Sequence, residues 1–137
     1  MKNIFICICS FFLFFSLYTC KSKNDLKDDM KNMINLNGKD SVVLKLNQLC
    51  YYSFELYESV GITAEYIIDN QLIIDCIERK SEFHSPEKMK KGMTGADSAT
   101  GIFIFKALKM GKTILTIRHL FRGDTDNEVN ILVTVIK

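Results

Sequence analysis

Gly101–Lys137, GIFIFKALKMGKTILTIRHLFRGDTDNEVNILVTVIK, decides the fold class of this chain. Its apolar period is two rather than 3.6, the mark of strands with one buried face. Gly101 to Leu108 is dense in β-branched and aromatic side chains, which suit a pleated surface. Lys112 to Phe121 alternates Leu115, Ile117 and His119 against Ile114, Thr116 and Arg118. Asn127 to Ile136 sets Val129, Ile131, Val133 and Val135 on one face. Met110-Gly111 and Arg122-Gly123-Asp124 divide these runs with turn residues.

The same period extends towards the amino terminus. Ser41 to Leu46 alternates, and Cys50 to Tyr57 places Cys50, Tyr52, Phe54 and Leu56 on one face. Thr63 to Ile68 and Gln71 to Ile77 are two short runs divided by the turn-prone pair Asp69-Asn70. Asn37-Gly38-Lys39-Asp40 is a further turn signal. Strands at this spacing predict an all-β, immunoglobulin-like Greek-key β-sandwich of seven or eight strands. Only Pro86 to Lys91 can host a helical turn, since Pro fits a first helical position. Ser81 to Ala99 otherwise reads as a long excursion between strands, a kind of segment that often carries function.

The chain has 137 residues, 47% hydrophobic and 25% charged, with one Pro, no Trp and five Cys. That length fits one domain and excludes a TIM barrel or a kinase. A net charge of +2 gives no basic stripe for nucleic acid.

Much of the apolar content lies in Met1 to Cys20, where Lys2 is the only charge. A short basic start before an apolar run from Ile4 to Tyr18 is a secretory leader pattern, and the run is short for a spanning helix. Cys20 at its end, after Thr19, resembles a bacterial lipobox, in which the leader is cut before the Cys and the thiol is acylated. The expected organisation is a signal peptide at 1–19, a lipidated Cys20 with a polar tether at 20–32, and a β domain at 33–137. This implies a bacterial envelope lipoprotein, facing the periplasm or the outside, with simple secretion as the alternative. Cys7 and Cys9 leave with the leader, so the domain keeps Cys50 and Cys76. In an exported domain these two either form a disulfide or stay as two buried thiols.

Catalytic chemistry is hard to place on this chain. The two histidines, His84 and His119, have no nucleophile arranged with them in the sequence. There is no GxSxG turn, no phosphate-cradling glycine loop and no Cys/His metal spacing. Asp124 to Glu128 is oxygen-rich but lacks the remaining calcium-loop spacing, and reads as a solvated turn. Lys88, Lys90 and Lys91 read as a solvated basic face. The expectation is a non-enzyme with no metal and no cofactor.

The strand and loop order of Leu36 to Lys137 resembles the chagasin family of cysteine-peptidase inhibitors. The carboxyl half carries most of the likeness. A small-residue loop, Ala96-Asp97-Ser98-Ala99-Thr100-Gly101, precedes the aromatic strand residue Phe103. Lys106-Ala107 and Gly111 then match a Lys-Ala-x-x-x-Gly turn, and Thr113 to Phe121 a Thr-rich strand. In the amino half, Phe54-Glu55-Leu56 leads into the segment Ser59-Val60-Gly61-Ile62-Thr63, which falls on the family's Asn-Pro-Thr-Thr-Gly loop. Tyr66 falls on its aromatic anchor. The family's Arg-Pro-Trp loop falls near Phe121-Arg122-Gly123, and its Gly-rich loop keeps small side chains without its glycines, unless Gly92 and Gly95 serve.

The resemblance implies an Ig-like sandwich whose three loops at one end wedge into the cleft of a papain-like cysteine peptidase, of a host or of the same cell. Peptidase-binding positions would be Ser59, Val60, Gly61, Ile62, Thr63 and Tyr66 in the middle. Gly95, Ala96, Ser98 and Ala99 would lie on one flank, and Phe121, Arg122 and Gly123 on the other. A monomer without nucleic-acid partners, held at a membrane by lipid, is expected. The alternative is an Ig-like envelope lipoprotein that binds another protein or a glycan.

Overall fold

The computed structural model describes residues 30–137. The expected leader at 1–19, Cys20 and most of the tether lie outside the described residues. Eight strands run in chain order: β1 Ile34–Asn35, β2 Ser41–Lys45, β3 Leu49–Tyr57, β4 Ile62–Ile68, β5 Ile74–Phe83, β6 Ser98–Ala107, β7 Gly111–Phe121 and β8 Asp124–Ile136. A short helix, α1 (Pro86–Lys90), lies between β5 and β6.

The hydrogen-bonded path is β2-β8-β7-β4-β3-β6-β5, with β1 beside β3. Its weak point is β3–β4, which share only the pair Tyr57↔Ile62 at their hairpin. There the path folds over, so β2-β8-β7-β4 forms one layer and β1-β3-β6-β5 the other. Ring contacts cross between the layers: Tyr66 on β4 meets Phe103 and Phe105 on β6 at 5.1 and 5.4 Å. This is the expected Ig-like β-sandwich, with β2 parallel to β8 and β1 parallel to β3 at its margins.

Alternation explains the core. Every second residue of β3 from Cys50 to Leu56 is buried, as are Leu115 and Ile117 of β7 and Ile131, Val133 and Val135 of β8. Fully burying a side chain of this size stabilises by ~1.5–3 kcal/mol. Gly101 leaves room for a neighbour, because a Cβ there would stand 2.3 Å from the Phe54 ring.

Two sequence expectations are corrected. β5 runs on to Phe83 and β6 begins at Ser98, so the excursion is shorter than Ser81 to Ala99. Asp124 to Glu128 is not a turn but the exposed start of β8, zipped to β7 through Arg118↔Glu128 and Phe121↔Asp124.

The possible Cys50–Cys76 bridge is also settled by register. Both residues pair with Phe105, one from each side of β6. Two strand spacings, about 10 Å, exceed the ~7 Å reach of a disulfide. Both thiols are free. Burial pushes the Cys50 thiol up to about 12, so it stays protonated and unreactive.

Candidate functional site

The strand directions bring three connections to one end of the sandwich. They are the β3–β4 turn (58–61), the β5–β6 connection (84–97) and the β7–β8 turn (122–123). Hydrogen bonds tie them into one ridge.

The β3–β4 turn is the middle member. It closes through Val60 N–H and Gly61 N–H donating to the Tyr57 carbonyl at 3.1 and 3.0 Å. Gly61 has φ +86, and a Cβ there would stand 3.0 Å from Arg122 Cα. Only glycine meets both demands at no cost. The Gly61 carbonyl accepts the Arg122 N–H at 2.8 Å, which docks the β7–β8 turn on this side. That turn has positive φ at both central residues, Arg122 (+52) and Gly123 (+91), as a tight hairpin requires. The Arg122 guanidinium lies over the Phe121 ring, 5.1 Å from its centroid. Phe121 is 45% exposed, so ring and cation form one projecting unit.

On the other side, the Ser59 N–H and hydroxyl donate to the two Asp97 carboxylate oxygens at 2.7 and 2.9 Å. The Ser59 N–H holds the Asp97 carboxyl below the usual carboxylate range, and the hydroxyl adds to it. The adjoining β5–β6 connection carries α1, whose N–H groups Lys88 and Met89 bond back to the Ser85 carbonyl. None of α1 is buried, so Lys88, Lys90 and Lys91 do form an exposed basic face. His84 spends both ring nitrogens at the loop root, 3.0 Å from the Ser98 and Thr100 hydroxyls.

The sequence-derived positions separate accordingly. Ser59, Gly95, Phe121, Arg122 and Gly123 are exposed on the ridge, and Val60, Gly61, Ile62 and Thr63 are half-buried in or beside its middle turn. Ala96 and Ala99 are buried, and Ser98 is half-buried with its hydroxyl held by His84. Tyr66 points inward against Phe103 and Phe105, where burial raises its hydroxyl pKa and a hydrogen bond to Cys76 adds to it. Asp97 is a ridge residue the sequence did not single out as a contact position. Nothing local marks it, since its partner is 38 residues away.

A notch of about 320 Å³ opens beside the ridge, lined by Glu55, Thr63, His119, Phe121 and Asp126 among others. His119 faces the interior and hydrogen-bonds the Tyr52 hydroxyl at 2.9 Å. Among the described residues, no group of three His, Cys, Asp or Glu is placed to hold a metal ion.

No family model matches the sequence, and no curated protein is significantly similar to it. Among solved structures, the fold is similar to the cysteine protease inhibitor EhICP2 from Entamoeba histolytica, with TM-score 0.60 and 10% identity, over 77% of this chain and 95% of that one. The solution structure of amebosin aligns with TM-score 0.48 and 7% identity, over 76% of this chain and 96% of that one. At such low identity the likeness to the Entamoeba histolytica inhibitor is one of fold, and the chain shares with it the Ig-like sandwich built from the strands described above.

Proposed function

We propose that this protein is a non-catalytic inhibitor of papain-like cysteine peptidases, of a host or of its own cell, and that the ridge is its wedge. The observation that carries this reading is the hydrogen-bonded union of the three connections at one end of a rigid sandwich. A solved structure of similar fold, from Entamoeba histolytica, is that of a cysteine protease inhibitor, which supports the same reading, as does the chagasin-like loop order of the sequence. A ridge held by Asp97–Ser59 and Gly61–Arg122 loses little freedom on entering a cleft, and that keeps the ordering cost of binding low. The β3–β4 turn would lie over the catalytic Cys and His, while the Phe121–Arg122 unit and the β5–β6 connection grip the walls. An exposed aromatic with an Arg is a common energetic anchor of such contacts. Cleavage before Cys20 and its acylation would hold the domain at the bacterial envelope.

The test is inhibition of papain by the full chain in mild detergent. Inhibition at or below micromolar inhibitor is expected. Gly61→Glu should abolish it by forcing a charge into a desolvated cleft. Gly61→Ala is the control for backbone strain and the Cβ contact with Arg122, without the charge. No inhibition of papain or related peptidases by the wild-type chain overturns the proposal, and a pull-down dominated by a non-peptidase would then favour a different binding role.

A further inference from the structure

The opposite end of the sandwich carries a second surface that the peptidase reading does not use. Four connections or termini meet there: β2–β3 (46–48), β4–β5 (69–73), β6–β7 (108–110) and the end of β8. Their backbones are satisfied among themselves, through Asn47 N–H to the Ala107 carbonyl, Ala107 N–H to the Gln48 carbonyl and Leu108 N–H to the Ile73 carbonyl. Gln48, Asn70 and Thr113 add side-chain acceptors, but the apolar side chains and lysines here take no part in these ties, and they are not typical of a solvated loop. Leu46, Leu72, Leu108 and Met110 project into solvent, Leu72 being 70% and Met110 58% exposed, with Ile136 alongside. Around them stand Lys45, Lys106, Lys109 and Lys112, none of which forms an ion pair within the described residues. The acids at this end are Asp69 and Asp75, and Asp75 accepts the Cys76 N–H.

Isolated exposed leucines are ordinary, but a cluster rimmed by unpaired lysines is not. Apolar tips with lysines beside them suit a bilayer that carries anionic headgroups. The tips enter the headgroup–acyl boundary while the lysines meet phosphates. The chain direction favours the same occupant. β1 runs parallel to β3 with Ile34 opposite Cys50, near the start of β3. The polypeptide therefore enters the described fold at this end.

We infer that this base is a membrane-docking surface for anionic lipid, which sets the sandwich upright with its ridge away from the bilayer. A lipid on Cys20 would keep the base within a tether length of the surface, at most roughly 35 Å from Cys20 to Met30 at full extension. Two weak attachments together give the stable anchoring that one acyl chain does not.

The chain has no Trp, so one introduced indole reports alone. The full chain carrying Leu72→Trp, and separately Phe121→Trp, is reconstituted with phosphatidylcholine vesicles containing phosphatidylglycerol and bromine-labelled acyl chains. Quenching of the Leu72→Trp indole with the Phe121→Trp indole unquenched is expected. Adding Lys109→Gln and Lys112→Gln should lower the vesicle partition coefficient about thirtyfold. Equal quenching at both ends, equal quenching in pure phosphatidylcholine, or no response to the lysine pair overturns the inference. A blue shift that grows with protein concentration without vesicles also overturns it, and assigns the base to a second copy of the chain.

Discussion

The two ends of the sandwich are held together by different parts of the polypeptide. At the base, backbone bonds such as Asn47 N–H to the Ala107 carbonyl fix the connections, Gln48, Asn70 and Thr113 accept further N–H groups, and the exposed apolar side chains and lysines take no part in these ties. At the ridge, side chains join the connections: Asp97 holds Ser59, and the absent side chain of Gly61 admits Arg122. One end is thus free to vary its surface without losing its shape. The other has its shape written into a few residues, so single substitutions should disturb it selectively.

The sharpest way to break this contrast is to damage what both ends share. Phe103 is buried between the layers, with its ring against Phe54 and Tyr66. Phe103→Ala should cost about 3–5 kcal/mol in denaturant unfolding, with ridge and base lost together. A smaller effect confined to one end is expected from Gly61→Ala. An Ala at φ +86 costs ~1–2 kcal/mol, and its Cβ would press on Arg122. Hydrogen exchange at the Arg122 amide should accelerate while that at Asn47 and Ala107 stays unchanged. The mirror experiment is Asn47→Ala, since Asn47 has φ +68. It should cost ~1 kcal/mol and accelerate exchange at the base only. If either substitution loosens both ends alike, the sandwich is one cooperative unit and the contrast fails.

The fold was legible because buried strands declare themselves by alternation, as Val129 to Val135 does on β8. It faded where strands lie at an edge. Glu78, Arg79 and Lys80 hide the second half of β5, because a sheet edge is protected by charge. Asp124 to Glu128 misled for a related reason. These residues read as solvated and are solvated, but the two-residue hairpin at Arg122-Gly123 zips them to β7. The ridge was legible as an order of loops, since strand direction alone brings the three connections to one end. Its internal geometry was not. Whether Tyr66 faces a partner or Phe105, and whether Ala99 is exposed or buried, depends on the sheet face each occupies beside a loop of irregular length.

The smallest expected effect tests the side-chain bond that defines the ridge. Ser59 donates twice to the charged form of Asp97, which lowers its pKa relative to the unfolded chain. A carboxyl depressed in the folded state stabilises fully above its unfolded value and loses that contribution as pH falls through its folded value. Exchange at the Ser59 amide, corrected for intrinsic rates, should therefore be slow at neutral pH and rise on acidification below the ordinary carboxylate range. Asp97→Asn keeps a similar shape and one acceptor but removes the charge. It should show the fast exchange already at neutral pH and little further change with acid. At the base, the ties made by the Asn47, Ala107 and Leu108 amides run to backbone carbonyls rather than carboxylates, so those amides should not follow this profile. A parallel acid response at Asn47 would mean that the ridge loosens because the whole sandwich does, and Asp97 would then be a passenger rather than the tie.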